Sequence, residues 1–225
     1  MALILDGTNT PTLGGVGYGD GTELAFTGAG TAGQVLTSAG GAAPTWAAAP
    51  GAMILISTAT ASASSSIDFT GLTSAYKNYI VYINNCVPTS ADDFAMRTST
   101  DNGSSFASAS SNYVTQMNSV LNGSATTTFS SGASGTSISL MPPNNISSTA
   151  NLGGYSGVVT ILNPSNASNT VITVASSFIS SGGFQSYTSC AGARQNTSGA
   201  VNAIRFFMFG GSTIASGTFK LYGVL

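Results

Sequence analysis

The sequence predicts an all-β chain: a glycine-rich N-terminal stretch and then, from about residue 51, an antiparallel β-sandwich. Three observations predict it. Short runs rich in Val, Ile, Thr, Tyr and Phe recur between turn-forming residues. No segment holds a helical period, with "GLTSAYKNYI" offering one turn at best. The first 50 residues are too small and too broken by glycine to bury a core of their own.

In chain order, "DGTNTPTLGGVGYGDG" reads as turns around a few apolar clusters, and "GTAGQVLTSAGGAAPTW" runs from Gly30 to the only tryptophan, Trp46. Strands are then predicted at Tyr79–Asn84, Asp93–Ser99, Ser111–Leu121, Thr136–Met141, Gly157–Asn163, Thr170–Ile179, Asn202–Phe209 and Thr218–Leu225. Several alternate, as in Phe94, Met96 and Thr98 inward against Asp93, Ala95 and Arg97 outward, the pattern of a half-buried antiparallel strand. Between them stand Asp101-Asn102-Gly103, Asn122-Gly123, Pro142-Pro143-Asn144-Asn145, Asn163-Pro164-Ser165-Asn166 and Ser181-Gly182-Gly183. So many strands make a sandwich or a barrel. Without intervening helical periods the α/β classes fall away, and the sandwich is the expectation.

Charge is the outlier of the composition. Only 5 % of the 225 residues are charged, against roughly 25 % in ordinary soluble proteins. A polar but uncharged surface suits chains that pack against copies of themselves, because few charges must be matched or desolvated. The net charge is −2, and five scattered basic residues cannot neutralise a row of phosphates, so no nucleic-acid partner is expected. The longest apolar stretch, around Ala47 to Ile56, is broken by Pro50 and Gly51, so no membrane insertion is expected either. "MALILDGTN" lacks the basic and long apolar regions of a secretory signal. Cys86 and Cys190 read as buried free thiols.

The absence of histidine removes Ser-His-Asp, Cys-His and most zinc chemistry. Asp92, Asp93 and Asp101 are the candidates for a glycosidase-type carboxylate pair, and they read better as carboxylates of solvated turns. "STDNGSSF" lacks the spacing and distal Glu of a calcium loop. Ser74-Ala75-Tyr76-Lys77 matches a Ser-x-x-Lys tetrad without its companion motifs, and "GGVGYGDG" has the glycine count but not the spacing of a phosphate loop. The expectation is therefore no catalytic residue, no metal and no cofactor. Phe106, Tyr113, Tyr155, Phe184 and Tyr187 sit in or beside Ser/Asn-rich turns, the composition of a surface that stacks on and hydrogen-bonds a glycan.

Three segments together resemble phage tail-fibre and related virion fibre proteins. "GTAGQVLTSAGGAAPTW" is similar to their G-x-x-G-Q-V-L-x-S-x-G element ending in Trp; "DFAMRTSTDNGSSF" to the R-x-S-T-D-G-G-S-x-F strand and turn of their distal sandwich, with Asn102 where a glycine is common; and "SGTFKLYGVL" to an S-G-T-x-x-L-Y-G ending. The resemblance covers roughly residues 28 to 225. It implies residues 1–27 as a virion-attachment segment that meets other virion proteins of the tail baseplate, tail tip or capsid. Residues 28–50 become a glycine-rich, extended connector of a homotrimer, and 51–225 a distal, jelly-roll-like β-sandwich. Gln34, Val35 and Leu36 would give the trimer a small shared core, and Trp46 would seat the connector against the distal domain. The implied function is a non-enzymatic structural virion protein, a tail-fibre subunit attaching to host-surface glycan, with Asn102, Phe106, Tyr113, Phe184 and Tyr187 as receptor-binding residues. A capsid-bound head fibre or decoration protein is one alternative, and a polysaccharide depolymerase using Asp92 and Asp93 is another.

Overall fold

A computed structural model of the chain describes residues 12–48, 53–122, 127–149, 152–167, 170–194 and 199–225. The chain divides into two compact units, Met1–Ala52 and Met53–Leu225. The expected attachment segment, 1–27, lies partly outside the described residues.

The first unit holds two antiparallel hairpins, β1 (Gly17–Gly19) with β2 (Leu24–Phe26) and β3 (Gln34–Ala39) with β4 (Ala42–Ala48). Asp20 closes the first, its Oδ1 accepting hydrogen bonds at 2.8 Å from the Thr22 and Glu23 backbone N–H groups and from the Thr22 hydroxyl. "GGVGYGDG" is thus a hairpin and its turn. The segment expected to be an extended connector doubles back on itself. The reason is Gly40-Gly41, a two-residue loop joining β3 to β4 in which Gly40 adopts a φ of 69°. Only such residues turn antiparallel strands this tightly.

The second unit contains β5 (Met53–Ser64), β6 (Ser66–Thr70), β7 (Asn78–Pro88), β8 (Phe94–Ser99), β9 (Tyr113–Leu121), β10 (Thr127–Gly135), β11 (Ile138–Ser139), β12 (Tyr155–Leu162), β13 (Thr170–Ile179), β14 (Gln185–Arg194), β15 (Ala203–Met208) and β16 (Ile214–Val224). They form an eight-stranded sheet, β10-β9-β14-β13-β12-β7-β16-β5, and a four-stranded sheet, β11-β8-β15-β6. Every ladder is antiparallel. Partners nest from the outside inward: β5 with β16, β6 with β15, β7 with β12, β8 with β11, and β9 with β10. Successive pairs fall alternately in the large and the small sheet. The β13–β14 hairpin is inserted between β12 and β15 and, with β9 and β10, widens the large sheet on one side.

The two sheets share one core. Phe94 of β8 packs its ring 5.0 Å from Tyr155 of β12 and 6.3 Å from Phe219 of β16, while Phe206 of β15 lies 5.7 Å from Phe219. Such edge and tilted contacts are the favoured aromatic geometries. The protein is therefore all-β, antiparallel and sandwich-like, with no α-helix among the described residues. Gly217 holds a bulge in β16 with a φ of 145°, and a Cβ there would stand 2.9 Å from the Cys86 Cα. That is the physical content of the Ser-Gly-Thr in the C-terminal motif.

Sequence and structure differ in places. The predicted Thr136–Met141 strand shrinks to Ile138–Ser139. The strand around Phe94 is covered on both faces: Ala95, expected outward, is 0 % exposed, because Phe207 stands opposite it and the Arg97 guanidinium lies over the Phe207 ring. On the outer face of the large sheet, cross-strand rows run through Tyr222, Ile80, Thr160, Thr173, Ala191 and Gln116, and through Lys220, Tyr82, Val158, Ala175, Ser189 and Asn118. Lys220 is the one charge in those rows.

Candidate functional site

The small sheet is narrower than the large one, and this difference makes a site. The β9–β10 hairpin runs beside β11, which offers only two residues of cover at the small sheet's edge. A groove of about 390 Å³ is left there. Tyr113, Thr115 and Met117 of β9 line it with Ser110, Gly135, Thr136, Ser137, Ser139, Met141, Pro143 and Phe209. None of these residues is charged. Hydroxyls alternate with the thioethers of Met117 and Met141, a proline ring and Phe209, which is 55 % exposed. Such a lining hydrogen-bonds polyhydroxylated ligands and packs on their C–H faces. A shallower depression of about 600 Å³ lies on the large sheet around Gln116, Asn118, Thr160, Thr173 and Ser189.

One wall of the groove continues onto the outer face of the small sheet. Phe94 and Phe206 point into the core, so strand alternation turns Arg97, Arg205 and Phe207 outward. Asp68, Arg205 and Arg97 form one cross-strand row on β6, β15 and β8. Asp68 takes Arg205 in a fork, with Nε to Oδ1 at 2.8 Å and Nη2 to Oδ2 at 2.6 Å. That hydrogen-bonded pairing raises the Arg205 pKa. The Arg205 guanidinium stacks on Phe106, 4.1 Å from the ring centroid, and Arg97 stacks on Phe207 at 4.6 Å. Arg97 Nε donates to the Thr136 carbonyl at 3.0 Å, which fixes the arginine to the groove's rim.

The residues expected to bind a receptor do not meet in one place. Asn102, at a φ of 58°, accepts a hydrogen bond from the Gly71 N–H with Oδ1, and its own N–H donates to Asn202 Oδ1; it ties three loops together. Phe106 is the stacking partner of Arg205. Tyr113 is wholly buried, its hydroxyl accepting from the Thr98 N–H at 2.8 Å and donating to the Ala107 carbonyl at 3.0 Å, so it reaches the groove only as floor. Phe184 and Tyr187 are both exposed, the first beside the β13–β14 turn and the second on β14. In the first unit, Val35 and Leu36 are exposed and Gln34 Oε1 accepts from the Thr31 N–H. Trp46 covers Gly30 and donates from Nε1 to the Gly28 carbonyl at 2.8 Å. Arg97, Phe207 and Phe209 are not among the residues that the sequence points to. The available signal was an arginine on an outward strand position in a chain almost without charge.

The aspartates close loops. Burial works to raise the pKa of Asp92, but hydrogen bonds from the N–H groups of Ser212, Gly210 and Asp93 outweigh it and hold the carboxyl below its ordinary value. Burial pushes the Asp93 carboxyl up, against the Asn145 N–H and with the help of the Asp92 charge. Asp101 is held down to about 2 by the Ser105 and Ser99 hydroxyls. Ser74–Lys77 forms a turn ahead of β7 rather than the start of a helix. Cys86 and Cys190 are buried and free, and burial pushes the Cys190 thiol up to about 12. Among the described residues no group of three His, Cys, Asp or Glu side chains is placed to hold a metal ion.

Comparison with known protein families, curated proteins and solved structures finds no match to this chain.

Proposed function

We propose that this chain is a non-enzymatic structural protein of a virion: a subunit of a homotrimeric tail fibre of phage type that attaches to glycan on the host surface. The observation that carries the reading is the uncharged, hydroxyl-lined groove with Phe209 at its mouth. Sugars are bound through many weak hydrogen bonds and flat apolar contacts, and such a groove supplies both. The nested pairing that alternates between sheets supports a jelly roll as the distal domain. Self-association is supported by the exposed Val35 and Leu36 and by a large sheet face that presents Lys220 as its one charge in the rows traced above. Three copies would convert weak single-groove affinity into avidity. In this reading residues 1–27 join the fibre to other virion proteins.

The test has two parts. Light scattering of the purified chain should give three times the chain mass, and gold-labelled antibody against Met53–Leu225 should decorate the tail tip of intact particles. A monomeric mass removes the trimer. Label over the head moves the protein to a capsid-bound fibre, and particles without label remove the virion reading.

A further inference from the structure

We propose that the outer face of the small sheet binds an oxyanion carried by a saccharide polymer, and that Arg97 is the residue that holds it. The proposal rests on the glycan-attachment reading and names the class of glycan. Its starting point is an imbalance of charge. Arg97 and Arg205 stand directly opposite each other on neighbouring strands, an arrangement that costs stability when left uncompensated. Asp68 could offset both, yet it spends both oxygens on Arg205. The acids nearest to Arg97 along the chain are also engaged, Asp93 by the Asn145 N–H and Asp101 by Ser99 and Ser105. Arg97 keeps one hydrogen bond, from Nε to the Thr136 carbonyl, and its terminal nitrogens have no partner among the described residues.

A guanidinium anchored in this way is set up for an anion. The Nε bond and the Phe207 ring fix its plane, so the two terminal N–H₂ groups are held in the fork geometry that carboxylate and phosphate groups accept. Neighbouring Arg205, stacked on Phe106, stands between Asp68 and Arg97 in the cross-strand row, so the positive end of that ion pair lies on the Arg97 side. Since Thr136 also lines the uncharged groove, a polymer lying in the groove with its hydroxyls can place an acidic substituent on Arg97. Uronic-acid carboxylates and the phosphodiesters of a phosphate-bridged polysaccharide share this chemistry.

The test is calorimetric binding of the full chain to polygalacturonate, to a phosphomannan and to neutral dextran, in low and moderate salt. The expected result is salt-sensitive binding of at least one anionic polymer, weakened about ten- to a hundredfold by Arg97→Gln; whichever polymer binds identifies the source of the anion. Asp68→Asn frees Arg205 and should tighten the same binding, an opposite sign that a merely destabilised protein would not give. Binding of dextran but of neither polyanion overturns the proposal and leaves glycan attachment standing. Polyanion binding unchanged in Arg97→Gln, or weakened in Asp68→Asn, also overturns it, and binding of none of the three overturns both.

Discussion

At the scale of single residues, the lone tryptophan is a reporter of its own surroundings. A Cβ on Gly30 would stand 2.6 Å from Trp46 Cδ2, so Gly30→Ala must displace the indole and break its bond to the Gly28 carbonyl. The expected outcome is a red shift of tryptophan emission and a loss of about 1–3 kcal/mol; an unchanged spectrum would count against the packing. The neighbouring aspartates should respond to pH in opposite senses. Asp92 has a lowered folded pKa, so its stabilisation is present above the unfolded value of about 3.9 and is lost as pH falls through the folded one. Asp93 has a raised folded pKa, so it favours the folded state at low pH and loses that contribution as pH rises through its folded value. Denaturant titrations at pH 7 should therefore show Asp92→Asn destabilised by about 1–3 kcal/mol, for a backbone N–H left without its acceptor, while Asp93→Asn is neutral or more stable. What the sequence shows of these residues is their place in turns. It does not show that Asp92 gathers N–H groups from Ser212 and Gly210, because that depends on a loop 120 positions away.

At the scale of elements, legibility follows side-chain size only in part, since β5 opens on Met-Ile-Leu-Ile and is not among the predicted strands. β13 is observed at its predicted bounds, and β7, β12 and β15 lie where Val, Ile, Tyr and Phe are dense. β14, "QSYTSCAGAR", has no such density and is not among the predicted strands. It is a strand because β13 and β9 flank it and satisfy its backbone on both sides, with Ser186, Thr188 and Cys190 turned inward. Long-range pairing of this kind leaves almost no trace in a local window. The same limit applies to the groove, which exists because β11 is shorter than its neighbours. Phe94 is the element-scale test of the sandwich, since its ring touches Tyr155 and Phe219 across the sheets. Phe94→Ala should cost about 3–5 kcal/mol, and thus lower Tm by about 6–20 °C. A small shift would mean that the sheets are held together elsewhere.

At the scale of the whole molecule, scarcity of charge governs the response to solvent. Asp68 and Arg205 form the ion pair found among the described residues, so Tm should hold within about 2 °C as NaCl rises from about 0.02 to 0.3 M; a marked dependence would point to charge interactions beyond that pair. The nested pairing has a consequence for how the protein is made. β16 lies between β5 and β7 in the large sheet, yet about 160 residues separate Met53 from Ile214. At a synthesis rate of about 5–20 residues per second, β5 waits about 10 to 30 s for its ladder partner. Its exposed Met53, Leu55 and Ile56 have no ladder until then. A chain interrupted before Ile214 cannot close, and when expressed alone residues 1–213 should accumulate as aggregate or be degraded. Closure by a late strand thus acts as a length check: only molecules translated through β16 join β5 to β7 and complete the large sheet.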